Sequence, residues 1–162
     1  DNKVESRIDS GAGIKILRSS DGELKGEAAY EGGKLVKETY FHSNGNPKEI
    51  IPYNINGLID GTKRSFLING EPNTTEEWSQ NQLHGKVTVY RNGERYAEVP
   101  YVRGQKEGVE RRYKDGQILA EEITWQKDRM NGPYTSYFGS NIKTEWYLKG
   151  ERVSRAVFEQ QK

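Results

Sequence analysis

The chain has 162 residues, enough for one ordinary domain and too few for two large ones, and only 32 of them, one fifth, are Leu, Ile, Val or Phe. Its 25 basic and 24 acidic residues nearly cancel, which excludes a strong field for nucleic acid, while 10 Tyr and 3 Trp supply apolar area that the aliphatic count omits. The lack of cysteine excludes disulfides, thiolate zinc sites and cysteine nucleophiles; two histidines cannot make a three-histidine metal site; no apolar run approaches the ~20 residues of a membrane span.

Such a chain folds without a thick aliphatic core, and a thin or elongated architecture suits it better than a compact globule. Residues 1 to 12 are polar, show no strand pattern and read as a flexible lead. They fit a mature start behind a removed leader, including one that ends in a lipidated cysteine just before Asp1, and equally a cytoplasmic start.

From residue 13 to 150 the chain repeats itself. Asp21-Gly22, Asn44-Gly45, Asn69-Gly70, Asn92-Gly93 and Asp115-Gly116 recur with their glycines 23, 25, 23 and 23 residues apart, and Gly139-Ser140-Asn141 is a looser sixth signal. Asn-Gly and Asp-Gly suit a type I′ hairpin, which needs positive φ at both central residues. Aromatics keep a fixed phase to these turns: Tyr30, Tyr53, Trp78, Tyr101, Trp125 and Tyr147 follow them, and Tyr40, Phe66, Tyr90, Tyr113 and Tyr137 precede them. Gly61, Gly85, Gly108 and Gly132 open successive units, each five residues before its aromatic.

The unit therefore reads as glycine, strand, tight turn, longer strand ending in an aromatic, and short polar loop. Alternation agrees: Ala97, Val99 and Tyr101 share one face of a strand whose other face carries Glu94, Tyr96 and Glu98. Stacked hairpins would align the aromatics into a ladder, each ring removing ~150–250 Å² from water. The expected fold is all-β, an elongated antiparallel meander of about six hairpins in a single-layer twisted sheet, quasi-one-dimensional. Residues 151 to 162 are its C-terminal cap, either a last strand or a short helix.

Units such as Leu83-His84-Gly85-Lys86 with Tyr90-Arg91-Asn92-Gly93-Glu94, and Lys106-Glu107-Gly108 with Tyr113-Lys114-Asp115-Gly116-Gln117, resemble MORN-repeat variants of the bacterial type found in YwqK-like antitoxin proteins. The resemblance covers residues 13 to 150; one motif is short and degenerate, and the run of six in phase gives it specificity. Pro47, Pro52, the 25-residue spacing near Asn69 and the sixth turn depart from the regular unit, and regular strand pairing is in doubt there.

The residues assemble no enzyme constellation: no GxSxG elbow, P-loop or HExxH is present, and Gly11-Ala12-Gly13 is a scrap of a glycine motif. His42 and His84 sit beside turns without a positioned nucleophile or third ligand, so they read as exposed loop histidines rather than a general base or a metal pair. Glu27, Glu49, Glu77, Glu98, Glu121, Glu122 and Glu145 could form a column for a cation or a basic partner; a solvated face paired with Lys and Arg is favoured. Arg111, Arg112 and Lys114 read as a solvated patch flanked by Glu110 and Asp115.

Six aromatics stand off the ladder positions: Phe41, Tyr96, Tyr134, Phe138, Trp146 and Phe158. A single-layer sheet exposes Phe138 and Trp146 as interface anchors, unless the tail with Val153, Val157 and Phe158 folds back over them.

The resemblance implies a module that binds protein and does no chemistry, since similar bacterial proteins are antitoxins or immunity proteins, including those against type VI-secreted phospholipase effectors. The expected partner is then a cognate toxin, a phospholipase among the candidates, contacted by Tyr96, Tyr134, Phe138 and Trp146 with neighbouring Glu98 and Arg129. No cofactor, metal, small-molecule substrate or nucleic acid is expected. The expected location is the periplasm with a lipid anchor upstream of Asp1, with the cytoplasm as the alternative. The alternative function is a membrane- or lipid-associated scaffold of the cell envelope, for which the sequence offers neither a basic excess nor an amphipathic anchor.

Overall fold

A computed structural model describes residues 6–161 as fifteen antiparallel strands and one short helix. The chain divides into two compact units, residues 1–82 and 83–162. Each is an open antiparallel meander in which consecutive strands pair, apart from one two-residue strand off the main path, so the expected all-β hairpin architecture holds.

The first unit runs β1 (Arg7–Asp9), β2 (Ala12–Arg18), β3 (Leu24–Glu31), β4 (Lys34–Phe41), β5 (Pro47–Pro52), β6 (Gly61–Phe66) and β7 (Pro72–Ser79). The expected lead over residues 1 to 12 contains strand: β1 forms a hairpin with β2, Asp9 opposite Ala12, while residues 1 to 5 lie outside the described residues. The prolines that put pairing in doubt sit at the two ends of β5, Pro52 opposite Lys37 and Pro47 opposite Phe41 beside a bulge, where a missing N–H is tolerated. One cross-strand row carries Lys15, Ala28, Glu38 and Ile51, and of these Ala28 and Ile51 are buried.

The second unit runs β8 (Gln82–Arg91), β9 (Glu94–Val102), β10 (Gln105–Lys106), β11 (Gly108–Lys114), β12 (Ile118–Gln126), β13 (Arg129–Phe138), β14 (Asn141–Leu148), β15 (Glu151–Val153) and helix α1 (Arg155–Gln160). Both β10 and β11 pair with β9. Directly opposed residues share a face. Val89, Ala97, Arg112, Glu121 and Ser136 form one row, and Thr88, Glu98, Arg111, Glu122 and Thr135 form the adjacent row on the other face. The buried apolar residues are Ala97, Val99, Ile123 and Phe158, a core as thin as the composition demands.

The turns differ from the expected type I′ series. At Asp21-Gly22, Asn44-Gly45 and Asn69-Gly70 only the glycine has positive φ, and its N–H bonds back three residues, as Gly45 does to the His42 carbonyl at 2.9 Å. These loops hold one residue more than a type I′ turn, and Asn44 and Asn69 use their side-chain oxygens to accept the N–H two residues on, each at 3.1 Å. Asn92-Gly93 is type I′, with both residues at positive φ between opposed Arg91 and Glu94. The short polar loops are type I′ in character instead: Ser10-Gly11, Gly32-Gly33, Arg103-Gly104, Lys127-Asp128 and Lys149-Gly150 each join opposed residues with both φ values positive.

A second periodicity joins these loops. The residue before each unit-opening glycine offers a side-chain acceptor to the first N–H of the next polar turn. Asp60 accepts from Gln80 at 3.3 Å, His84 Nδ1 from Arg103 at 3.4 Å, Glu107 from Lys127 at 2.9 Å and Asn131 from Lys149 at 2.9 Å. One residue earlier, the carbonyls of Ile59, Leu83, Lys106 and Met130 accept from Asn81, Gly104, Asp128 and Gly150. Turn N–H groups that would otherwise need water are thereby satisfied within the chain.

The C-terminal cap contains both alternatives, β15 followed by α1. Ser154 caps α1 by accepting the Val157 N–H at 3.3 Å, and Phe158 is buried with its ring 5.1 Å from that of Trp146. A six-residue helix has little stability of its own. Phe158→Ala, which removes about 3 kcal/mol of burial, is therefore expected to undock α1. Tryptophan emission should shift to the red while the far-ultraviolet strand signal stays.

Candidate partner-binding surface

The aromatic rings do not form one stack, because they divide between the two faces and end on carboxylates. In the second unit Tyr113 donates to Glu98 at 2.9 Å and Tyr137 to Glu122 at 2.8 Å on one face; Trp125 donates to Glu110 at 2.9 Å and Tyr134 to Glu121 at 2.8 Å on the other. In the first unit Tyr53 donates to Glu38 and Trp78 to Glu76, each at 2.8 Å. Cations lie over several rings: Lys106 Nζ 4.3 Å from the Trp125 centroid, the Arg95 guanidinium 4.0 Å from Tyr113 and that of Arg91 3.4 Å from Tyr96.

Glu110 is the centre of one such set. Only 3% exposed, it accepts from Arg112 at 2.7 Å and from Trp125, with Lys106 Nζ at 3.5 Å; Arg112 continues to Glu121 at 3.0 Å. The favoured reading of the carboxylates, cross-strand pairing with basic residues, is thus seen at Glu98, Glu121, Glu122 and, through Arg152, Glu145, and the rings are added partners that alternation alone did not reveal.

These contacts shift protonation. Burial, then the bond to Glu38, pushes the Tyr53 hydroxyl far above its ordinary value; burial and the bond to Glu98 raise Tyr113; the bond to Glu122, then burial, raises Tyr137. Burial also pushes Glu98 up, but bonds from Lys86 and Tyr113 and the charges of Lys86 and Arg95 outweigh it and hold the carboxyl below its usual range. A raised tyrosine stabilises the fold fully below its unfolded value of 10.0, and that contribution is lost as pH rises through the folded value. Glu98 contributes above its unfolded value of 4.5, and its contribution is lost as pH falls through the folded value. We expect a plateau of stability between those limits. Tyrosinate absorbance should lag behind that of free tyrosine above pH 10.0 and rise together with loss of the strand signal.

The six expected contact residues do not form one patch. Tyr96 and Phe138 come together with Arg112, Tyr113, Glu121 and Tyr137 around a depression of about 310 Å³ at the Asp115-Gly116 end of the strands. Phe138 is 67% exposed there, uncovered by the tail, while the exposed Ile142, opposite Tyr137, lies on the other face of the β13–β14 hairpin. Glu98 and Tyr134 are half-buried and engaged within the sheet, Tyr134 also lying 6.4 Å from the Tyr147 ring. Trp146 sits under Phe158 near the opposite end of the strands, where the exposed Arg129 faces Gln126 across the Lys127-Asp128 turn.

At that opposite end lies a larger cleft, about 800 Å³, lined by Pro133, Trp146, Leu148 and Phe158 with Gln126 and Lys149 among its polar groups. It exists because α1 returns over the Pro133–Trp146 pair, a long-range contact without a local signal. Both histidines hold backbone: His42 Nε2 donates to the Phe66 carbonyl at 2.9 Å, and His84 Nδ1 accepts as described. Among the described residues no three His, Cys, Asp or Glu side chains converge as a metal site would require, and no helix is long and apolar enough to cross a membrane.

Neither a protein-family model nor a curated protein matches the chain.

Proposed function

We propose that this chain is a protein-binding module that does no chemistry, an antitoxin or immunity protein that neutralises a cognate bacterial toxin, with a type VI-secreted phospholipase among the candidate toxins. The observation that carries the binding half of this reading is the bare Phe138 ring, 67% exposed at the edge of the Tyr96 depression. Apolar groups of this size left in water on a hydrogen-bonded sheet fit anchors for another macromolecule. The side chains that could have served chemistry are committed to the sheet: carboxylates to rings and cations, histidines to backbone. The toxin half rests on the repeat's resemblance to MORN variants, and on it a periplasmic, lipid-tethered location follows when the toxin acts in the envelope.

Calorimetry of the full chain against the protein encoded by the neighbouring gene tests the reading. Tight one-to-one binding that Phe138→Asp weakens, with the melting temperature unchanged, is the expected result. Absence of heat with that protein, or binding of the unlipidated chain to anionic vesicles in its place, would favour the envelope-scaffold alternative.

A further inference from the structure

The sequence holds five Asn-Gly steps, at Asn44, Asn56, Asn69, Asn92 and Asn131. Asparagine before glycine is a chemically labile pair, because glycine has no side chain to keep its backbone nitrogen away from the asparagine side-chain carbonyl carbon. Attack needs the peptide between the two residues to rotate, the side-chain amide to swing freely and the glycine N–H to be unbonded. Rotation is asked of all five steps. Exposure does not separate them either: Asn44, Asn56, Asn69 and Asn92 are exposed, and Asn131 alone is half-buried. Hydrogen bonds do separate them.

Asn44 is held by three bonds. Its Nδ2 donates to the Ile68 carbonyl at 2.7 Å, its Oδ1 accepts the Asn46 N–H at 3.1 Å, and the Gly45 N–H donates to the His42 carbonyl at 2.9 Å. Asn69 accepts the Glu71 N–H at 3.1 Å, and the Gly70 N–H donates to the Leu67 carbonyl at 2.9 Å. Asn131 donates to Gln126 at 2.6 Å and accepts the Lys149 N–H at 2.9 Å. The Asn56 side chain is free, but the Gly57 N–H donates to the Asn54 carbonyl at 2.9 Å. At Asn92 neither group is held. Its type I′ turn leaves Asn92 and Gly93 exposed at φ 51° and 76°, between opposed Arg91 and Glu94. Among the described residues, nothing bonds to the Asn92 side chain or to the Gly93 N–H.

We propose that Asn92-Gly93 is the site of spontaneous deamidation in this chain, which converts Asn92 through a succinimide to isoaspartate and aspartate. The Gly93 nitrogen, its proton passing to water, bonds to Asn92 Cγ. The Cγ–Nδ2 bond breaks, ammonia leaves and a cyclic imide remains. Water then adds to one imide carbonyl and breaks that carbon's bond to the Gly93 nitrogen. Opening at Cγ gives aspartate; opening at the main-chain carbon gives isoaspartate. The sum is one water consumed and one ammonia released, with no oxidant or reductant.

Either product adds a negative charge that removes the formal +1 of the chain, next to Arg91, whose guanidinium covers the Tyr96 ring at 3.4 Å. Isoaspartate also lengthens the main chain of a two-residue turn, where loop length sets the register of the strands. An effect of this change on partner contact at Tyr96 rests on the reading of the chain as a binding module; the chemistry at Asn92 does not.

The test ages the full chain in mildly alkaline buffer at physiological temperature, folded and in urea. Peptide mapping by mass spectrometry, with chromatographic separation of isoaspartate, reads each step. In the folded chain Asn92 should convert roughly fivefold faster than Asn56, where one bond must be released, and at least about tenfold faster than Asn44, Asn69 and Asn131, where two or more must. In urea the five rates should converge to within about threefold. Asn92→Gly, a pair already used in the same turn type at Gly32-Gly33, should abolish the early conversion and leave the other steps unchanged. No lead for Asn92 in the folded chain, an equal lead for it in urea, or early ammonia loss that persists in Asn92→Gly each overturns the proposal.

Discussion

Replacing Glu110 by alanine is expected to destabilise residues 83–162 by about 3 kcal/mol, the largest effect of any single charge removal among the described residues. The carboxylate is 3% exposed, and its loss strands three donors at once: Arg112 Nε, Trp125 Nε1 and Lys106 Nζ. Arg112 and Lys106 are about one third exposed, so water recovers part of their hydration, which places the cost at the lower end of the range for broken buried pairs. Glu110→Gln keeps an acceptor for Trp125 but no charge for Arg112, and about half the loss should remain. Urea denaturation followed by tryptophan fluorescence measures both; a loss below about 1 kcal/mol for Glu110→Ala would mean that water replaces the carboxylate.

Gly132→Ala is the second large effect, about 3–5 kcal/mol, because two costs coincide. The residue has φ +133°, and an added Cβ would stand 2.9 Å from Thr124 Cγ2 and 3.0 Å from its Cβ. Thr124 cannot turn away without breaking its bond to the Pro133 carbonyl at 2.9 Å. Gly139→Ala is the control: φ is +61° and no atom lies within 4 Å, so only the backbone cost of about 1–2 kcal/mol remains. Thr124→Ser, which removes the nearest methyl and keeps the hydroxyl, should recover part of the Gly132→Ala loss but leave Gly139→Ala unchanged, a coupling that a double-mutant cycle reads directly.

The periodicity of glycine and asparagine was enough to find the hairpins, because each turn must be encoded within four residues and positive φ restricts the choice of residue there. It misassigned which turn was which. Asn44-Gly45 and Gly32-Gly33 both announce a reversal, yet a three-residue loop and a type I′ turn differ by one residue of register, which depends on the bulge at Tyr40/Phe41 and on the Asn44 side chain. Alternation placed Ala97 and Val99 on the apolar face correctly, since period two is a local property. It could not place the rings. Tyr113 and Trp125 reach Glu98 and Glu110, each fifteen residues back, and those pairings require knowing which strands are neighbours.

The contact residues show the same division. Alternation exposed Phe138 and Trp146 alike and left the return of the tail open, and the helix covers Trp146 alone.

The bonds that run from Asp60, His84, Glu107 and Asn131 to the following polar turn have a consequence for how such a chain can change in length. Each unit recognises its successor through a donor that follows its acceptor by 18 to 20 residues. Inserting or deleting a few residues between an acceptor and its donor breaks the bond that spans the change, while duplicating or excising a complete unit restores the match at the new junction. Growth and loss are thereby quantised: the chain can be lengthened like a rope by whole turns of its lay, and partners of different reach can be met by altering the number of units without redesigning any of them.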